Sequence, residues 1–260
     1  MLYLQSMIGI FDSGIGGLSV FREIRKLLPE EKYIYFSDNA HCPYGEKSRD
    51  YIINRARWIT DFLLSKGADI IVVACNTATA VAVKTLREEH PHIRFIGMEP
   101  AIKPAAGITK TGVVGVLATA GTLKADKYRD TKGRHAEDVI VVEHVGQGFV
   151  ELVESGNTTG PKAESIVTES LEPLLDAGAD TIVLGCTHYP FLAETISKVA
   201  SQLTPERTIT IIDPAPAVAK HLKDVMQAEN LLENSDHKTY EVSLHSSGDP
   251  QILENFFQHL

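Results

Sequence analysis

Cysteine is nearly absent from this chain, three in 260 residues, and none falls in a CxxC pair. A disulfide scaffold needs a dense cysteine framework and a structural zinc site needs closely spaced ligands. Both are excluded, and Cys42, Cys75 and Cys186 read as reduced thiols with no metal to hold. Cationic side chains are outnumbered as well: 25 Lys and Arg against 34 Asp and Glu leave a formal charge of −9. Neutralising a phosphate backbone takes clustered cations, so nucleic acid is not an expected partner, although a local pocket for a small anion is compatible with that balance. Long apolar runs are missing too. No uncharged stretch approaches the roughly 18 to 20 residues of a membrane-spanning helix. The opening MLYLQSMIGIF has neither a charged leader nor a cleavage-type tail, so the expected compartment is the cytoplasm.

What is present is ordinary for a globular protein: 43% hydrophobic and 23% charged residues, enough chain for one large domain or two of about 100 to 130 residues each. Short β-branched runs alternate with polar turns and helically spaced stretches, the pattern of parallel α/β architecture. Strands are expected at IGIF (8–11), KYIYFS (32–37), DIIVVA (69–74), IRFIG (93–97), GVVGVLA (112–118), DVIVVE (138–143), DTIVLG (180–185) and TITII (208–212). A helix is expected over 48–67, with Tyr51, Ile52, Trp58, Ile59, Phe62 and Leu63 as its apolar face. Residues 1–6 precede a second methionine, Met7, which directly abuts the first strand pattern, and they read as an extension outside the fold.

The chain also repeats itself. GADIIVVACNT (67–77) returns as GADTIVLGCTH (178–188), which places Cys75 and Cys186 at equivalent positions 111 residues apart. IGIFDSG (8–14) resembles VGVLATA (114–120), and MEPA (98–101) resembles IDPA (212–215), in the same order and at similar offsets. Three such segments mark two similar α/β lobes, each a mainly parallel sheet flanked by helices. The expected division is 7–98 plus 213–260 for the first lobe and 99–212 for the second. The return of the tail rests on a helix-like PAVAKHLKDVMQA and a strand-like TYEVSLHSS, too short together for a third domain.

Ligands of parallel sheets gather beyond the carboxyl ends of the strands, where helix N-termini offer unpaired N–H groups. Cys75 and Cys186 each come one step after an apolar run, at that junction. A thiol works as base or nucleophile only as thiolate, which a helix N-terminus favours. Asn76 and Thr77 after the first cysteine, and Thr187 and His188 after the second, add groups able to hold a carboxylate. The bland alternatives are that each cysteine ends a buried strand and that Asn-Thr and Thr-His serve as helix caps. The loop DSGIGG (12–17) is neither GxGxxG nor a P-loop, so nucleotide binding is not indicated. A glycine turn is common in any α/β protein, but Asp12 in this one supplies a carboxylate able to relay a proton beside a thiol. In SDNAHCPYGEKS (37–48), Pro43 and Gly45 fix a turn that presents Tyr44, while Cys42 has no counterpart in the repeat and reads as incidental.

Together, FDSGIGGLSV, PYGEKS, ACNTATA, GMEPAIKPA, GVLATAGTL, LGCTHYPFL and DPAPAVA resemble the cofactor-independent aspartate/glutamate racemase superfamily across nearly all of residues 8–219. CNTAT after one strand and CTH after the other favour its glutamate branch over the aspartate one. The resemblance implies two lobes with glutamate between them, no pyridoxal phosphate or metal, a homodimer, and a place in the supply of D-glutamate for peptidoglycan. It makes Cys75 and Cys186 the acid/base pair, with Asp12 assisting the first thiol and His188 the second. It assigns Ser13, Tyr44, Gly45, Asn76, Thr77, Thr119 and Thr187 to substrate contacts, along with Asp12 and His188. Where relatives carry a CP-x-FVPLVE-like segment, this chain has VGQGFVELVESG (145–156), in which Glu154 matches the family's assisting glutamate and Glu151 is a second candidate. Inversion at carbon needs a group on each face in opposite protonation states, so the chemistry itself asks for two such residues. Two rival functions are a hydrolase or isomerase using one cysteine covalently with His188, and a non-catalytic amino-acid-binding module.

Overall fold

The structure, a computed structural model, describes residues 6–136, 138–232 and 240–260. Residues 1–5 of the expected extension, and Thr239 of the strand-like tail, lie outside the described residues. The chain divides into two compact units, one running to Met98 and resuming at Ala215, the other spanning Glu99–Pro214.

Along the chain the first unit contributes β1 (Met7–Asp12), α1 (Leu18–Leu27), β2 (Lys32–Ser37), α2 (Arg49–Ser65), β3 (Ile70–Val73), α3 (Asn76–Glu89) and β4 (Arg94–Gly97). The second holds α4 (Ile102–Ile108), β5 (Val113–Ala118), α5 (Ala120–Lys124), α6 (Asp126–His135) and β6 (Ile140–Val145). It continues with α7 (Phe149–Glu154), α8 (Pro161–Asp176), β7 (Thr181–Gly185), α9 (Ala193–Leu203) and β8 (Thr210–Ile212). The first unit then resumes with α10 (Ala215–Ala228), β9 (Glu241–Ser246) and α11 (Pro250–Gln258).

The first sheet has the order β4-β3-β1-β2-β9 and the second β6-β5-β7-β8, and every pairing is parallel. Reversing the second gives β8-β7-β5-β6, which maps strand for strand onto β4-β3-β1-β2. The repeat in the sequence is therefore a repeat of topology, with β9 added to the outer edge of β2 in register from Lys32↔Glu241 to Ser37↔Ser246. Ile70, Ile71, Val72 and Val73 are all buried, as expected for a central parallel strand covered on both faces. Around them pack Phe11, Ile34, Phe36, Ile59, Leu63, Val83 and Leu86. The second unit has its own cluster, Ile102, Val114, Val116, Tyr128 and Val183. Each fully buried side chain of this size contributes about 1.5–3 kcal/mol. The strand expected at 138–143 begins and ends two residues later, and as an outer strand it is only partly buried.

The repeated GAD tripeptide does the same work twice. Gly67 (φ 92°) and Gly178 (φ 95°) take the left-handed conformation that ends α2 and α8, with Ala68 N–H donating to Leu63 and Ala179 N–H to Leu174. The aspartate that follows then ties down the start of the neighbouring strand or the segment leading into it. Asp69 accepts from Met7 N–H at 2.8 Å, and Asp180 accepts from Lys110 and Thr111 N–H at 2.7 and 3.0 Å and from the Thr109 hydroxyl at 2.6 Å. Helix α2 starts on Ser48, whose hydroxyl accepts from Tyr51 N–H. Its buried face is Ile52, Ile53, Ala56, Ile59, Thr60 and Leu63, so part of the expected apolar face is displaced. Tyr51 and Trp58 are 37% and 50% exposed. Each precedes a buried residue by one position, which on a helix is a rotation of about 100°.

Candidate active site

In the first unit the polar residues converge at the carboxyl ends of β1 and β3. Cys75 follows the last residue of β3 by two positions and is the N-cap of α3, its sulfur accepting from Ala78 N–H at 3.4 Å. An N–H aimed at sulfur from a helix N-terminus stabilises negative charge there. The Ser13 hydroxyl lies 3.7 Å from the same sulfur. The helix cap and the candidate acid/base group are thus one atom. Asp12 is fully buried, and its Oδ2 accepts from Gly14 and Gly17 N–H at 3.1 and 3.0 Å, so the DSGIGG loop is wound around this carboxylate. Gly17 is required by that winding, because a Cβ there would stand 2.6 Å from the Cβ of Asp12 and 2.7 Å from the Tyr35 hydroxyl.

Asn76 and Thr77 occupy the first turn of α3 and are 2% and 3% exposed. Neither side-chain polar atom of Asn76 has a partner among the described residues. An unpaired buried amide costs about 1–3 kcal/mol, which a polar ligand offsets. The turn Tyr44–Glu46 follows a cis Cys42–Pro43 bond and packs against α3. Gly45 is half-buried there, while Tyr44 is buried with its hydroxyl donating to Asp38. Burial foremost, then the negative charges of Asp38 and Cys75, push the Tyr44 phenol far above the usual tyrosine range, so it stays protonated.

In the second unit Cys186 follows β7, the counterpart of β3, and is also buried. Its surroundings differ from those expected. A single 3-10 turn, Tyr189–Leu192, comes before α9, so a long helix does not begin at this sulfur as one does at Cys75. Its neighbour is instead His188, with Nδ1 at 3.8 Å from the sulfur and 3.5 Å from the Thr187 hydroxyl. Nε2 of the same ring meets Glu154 Oε1 at 2.7 Å, with the His188 side chain 2% exposed and that of Glu154 21%. A neutral His188 donates Nε2–H to this carboxylate and turns Nδ1 toward the sulfur. Glu154 is thus the glutamate on His188, whereas Glu151 is exposed one turn earlier on α7. Thr119 caps α5, its hydroxyl accepting from Thr122 N–H at 3.3 Å.

Two residues near the thiols were given no role by the sequence, although Tyr189 lies within the LGCTHYPFL segment. Tyr189 is fully buried, donates to the Gly146 carbonyl at 3.3 Å and stacks edge-on against Phe149 at 4.9 Å. Burial, with the charges of Cys186 and Glu151, holds its phenol well above the usual range. Asp38 is fully buried beneath Tyr44 and is held by Arg55 from α2.

Two parallel α/β units, each with a buried thiol at the carboxyl end of the equivalent strand, define a class whose family model, the Asp/Glu/Hydantoin racemases, matches residues 8–222. The chain belongs to that family. Within it, the chain is 48% identical over 246 residues to a glutamate racemase of Stutzerimonas stutzeri, covering 95% of this chain and 90% of that one. It is also similar to the glutamate racemase of Francisella tularensis solved with D-glutamate (30% identity, TM-score 0.83, 98% and 94% of the two chains). The Escherichia coli enzyme solved with L-glutamate is likewise similar (34% identity, TM-score 0.82, 98% and 95%). Among the described residues no helix is long and apolar enough to cross a membrane.

Proposed function

We propose that this protein is a glutamate racemase, interconverting L- and D-glutamate with Cys75 and Cys186 as the two acid/base groups and so supplying D-glutamate for peptidoglycan. The carrying observation is the topological equivalence of the two thiols, each beyond the strand next to its unit's first strand, with unlike polar partners. One sulfur, as thiolate, takes the α-proton as the C–H electron pair stays on the α-carbon. The other, as thiol, gives its proton to the opposite face. After turnover the first is thiol and the second thiolate, so the reverse reaction starts from the product state. Asp12 and Ser13 serve the first thiol, and His188, oriented by Glu154, serves the second. The unpaired Asn76 amide, with Thr77, Thr187, Tyr44, Gly45 and Thr119, contacts the substrate. The cytoplasm and a homodimeric state follow from the family resemblance.

A second reading draws on Cys186, His188 and Glu154, which form a nucleophile, base and orienter series as in covalent thiol catalysis. It requires one cysteine and a covalent intermediate. The discriminating experiment incubates each glutamate enantiomer in deuterated buffer with wild type, Cys75→Ala and Cys186→Ala. Racemisation predicts loss of optical rotation from either side, deuterium at the α-carbon of the product enantiomer, and no turnover in either variant. Full turnover in one variant, or unchanged rotation for both glutamate and aspartate with folded protein, overturns the proposal.

A further inference from the structure

The Asp38 carboxylate is fully buried, and a buried carboxylate is costly unless its charge is compensated and its lone pairs are filled. Arg55 does both, with Nε donating to Oδ2 at 3.0 Å and Nη2 to Oδ1 at 2.6 Å, the forked geometry that only a guanidinium supplies. The Tyr44 hydroxyl fills a further position on Oδ2 at 2.5 Å, and the Asp38 N–H donates to the Asp12 carbonyl at 2.9 Å. The guanidinium itself lies 4.8 Å over the Trp58 ring, so the half-exposed tryptophan of α2 backs the clamp from the solvent side. The clamp therefore runs from Trp58 through Arg55 and Asp38 to Tyr44, and it joins the loop after β2 to the end of β1, where Asp12 sits.

This arrangement changes what Tyr44 is able to offer. Its hydroxyl is committed to Asp38 and its carbonyl accepts from Lys47 N–H at 3.1 Å, so its contribution is the placement of the ring and of the following peptide. That placement depends on the Asp38 carboxylate being held in its present orientation. Without the fork the carboxylate is free to turn and draws in water, and the acceptor geometry that fixes the phenol is lost.

We propose that Arg55 is a positioning residue for the reaction: its guanidinium, forked onto buried Asp38, holds Tyr44 and Gly45 in the geometry from which they contact substrate. The proposal rests on the reading that Tyr44 and Gly45 belong to the glutamate site. Arg55 acts through two intermediaries on binding and leaves proton transfer alone. Arg55→Gln is therefore expected to raise KM about tenfold or more for both enantiomers while kcat stays within about threefold. Arg55→Lys, which keeps the charge and loses the fork, is expected to fall between the two, and it is the variant to read if Arg55→Gln melts below the assay temperature. In Arg55→Ala, millimolar guanidinium chloride is expected to lower KM again, because 20% of the Arg55 side chain is exposed and the cation has a route in. A KM equal to wild type in both Gln and Lys variants, or a collapse of kcat at unchanged KM, overturns the positioning role. Inactivity of the wild type toward glutamate would instead overturn the reading on which the role rests, and the role with it.

Discussion

Replacing Glu154 by Gln removes one charge and little else, and its effect follows from the geometry of His188. The pair is 2.7 Å long, with one side chain 2% exposed and the other 21%. A hydrogen bond to a charged group contributes about 1.5–3 kcal/mol and a neutral one about 0.5–1.5, so the exchange costs about 1–1.4 kcal/mol once the partial exposure of the carboxylate is allowed for. That corresponds to a fall of about five- to tenfold in kcat/KM. The two enantiomers have equal free energy, so kcat/KM must fall by the same factor in both directions even though the lesion lies beside one thiol. The asymmetry emerges in the isotope effect. With α-deuterated substrate, the effect should grow in the direction where Cys186 removes the proton, because that step becomes more limiting. In the opposite direction it should shrink, because reprotonation by Cys186 now limits and masks removal by Cys75. Circular dichroism of both directions, with protiated and deuterated glutamate, reads all four rates. Isotope effects that move together, or a change in kcat/KM below about twofold, would refute the assignment of Glu154 and His188 to one base.

Two further outcomes concern stability. Gly146→Ala places a Cβ 2.5 Å from the Tyr189 hydroxyl and 2.7 Å from its Cζ, and the ring is fully buried against Phe149. Overpacking of this kind costs about 1–3 kcal/mol, about 2–4 °C of Tm per kcal/mol, and an unchanged melting curve would show that the ring yields. At Asp180, burial tends to raise the pKa, but donors from Thr109, Lys110, Thr111 and Thr181 outweigh it and hold the carboxyl below its ordinary range. A depressed folded-state pKa gives stability that is present above the unfolded aspartate value of about 3.9 and lost as pH falls through the folded one. Asp180→Asn is therefore expected to lower Tm at pH 7, with the gap to wild type narrowing below about pH 4. A gap independent of pH would remove the charge from the explanation.

Most of this fold was legible because its strands are buried on both sides and so appear as short β-branched runs. KYIYFS is β2 to the residue, and the GAD repeat marks both the helix ends and the aspartates that tie the sheets. The outer strand β6 was shifted because partial burial blurs its apolar pattern. At the candidate site, Cys75 and Cys186 stood out through repetition, and Glu154 only through resemblance, since 34 residues separate it from His188. Asp38 and Arg55 left no signal at all. An aspartate in a polar loop and an arginine on an amphipathic helix look like solvated charges until the fold turns them toward each other, and only then does Trp58, displaced from the expected apolar face, find its use over the guanidinium. Tyr189 was hidden for the opposite reason, as an aromatic among apolar neighbours whose hydroxyl partner lies 43 residues away.

The late arrival of β9 on the outer edge of β2 has a bearing on how the chain is made. β2 leaves the ribosome about 200 residues before its partner, so during most of synthesis it presents a bare row of amide and carbonyl groups, the template on which a neighbouring nascent chain would pair. The stretch from Glu99 to Pro214 is continuous and completes its own sheet within that interval. Serine-rich β9, when it comes, closes a seam that translation has held open longest.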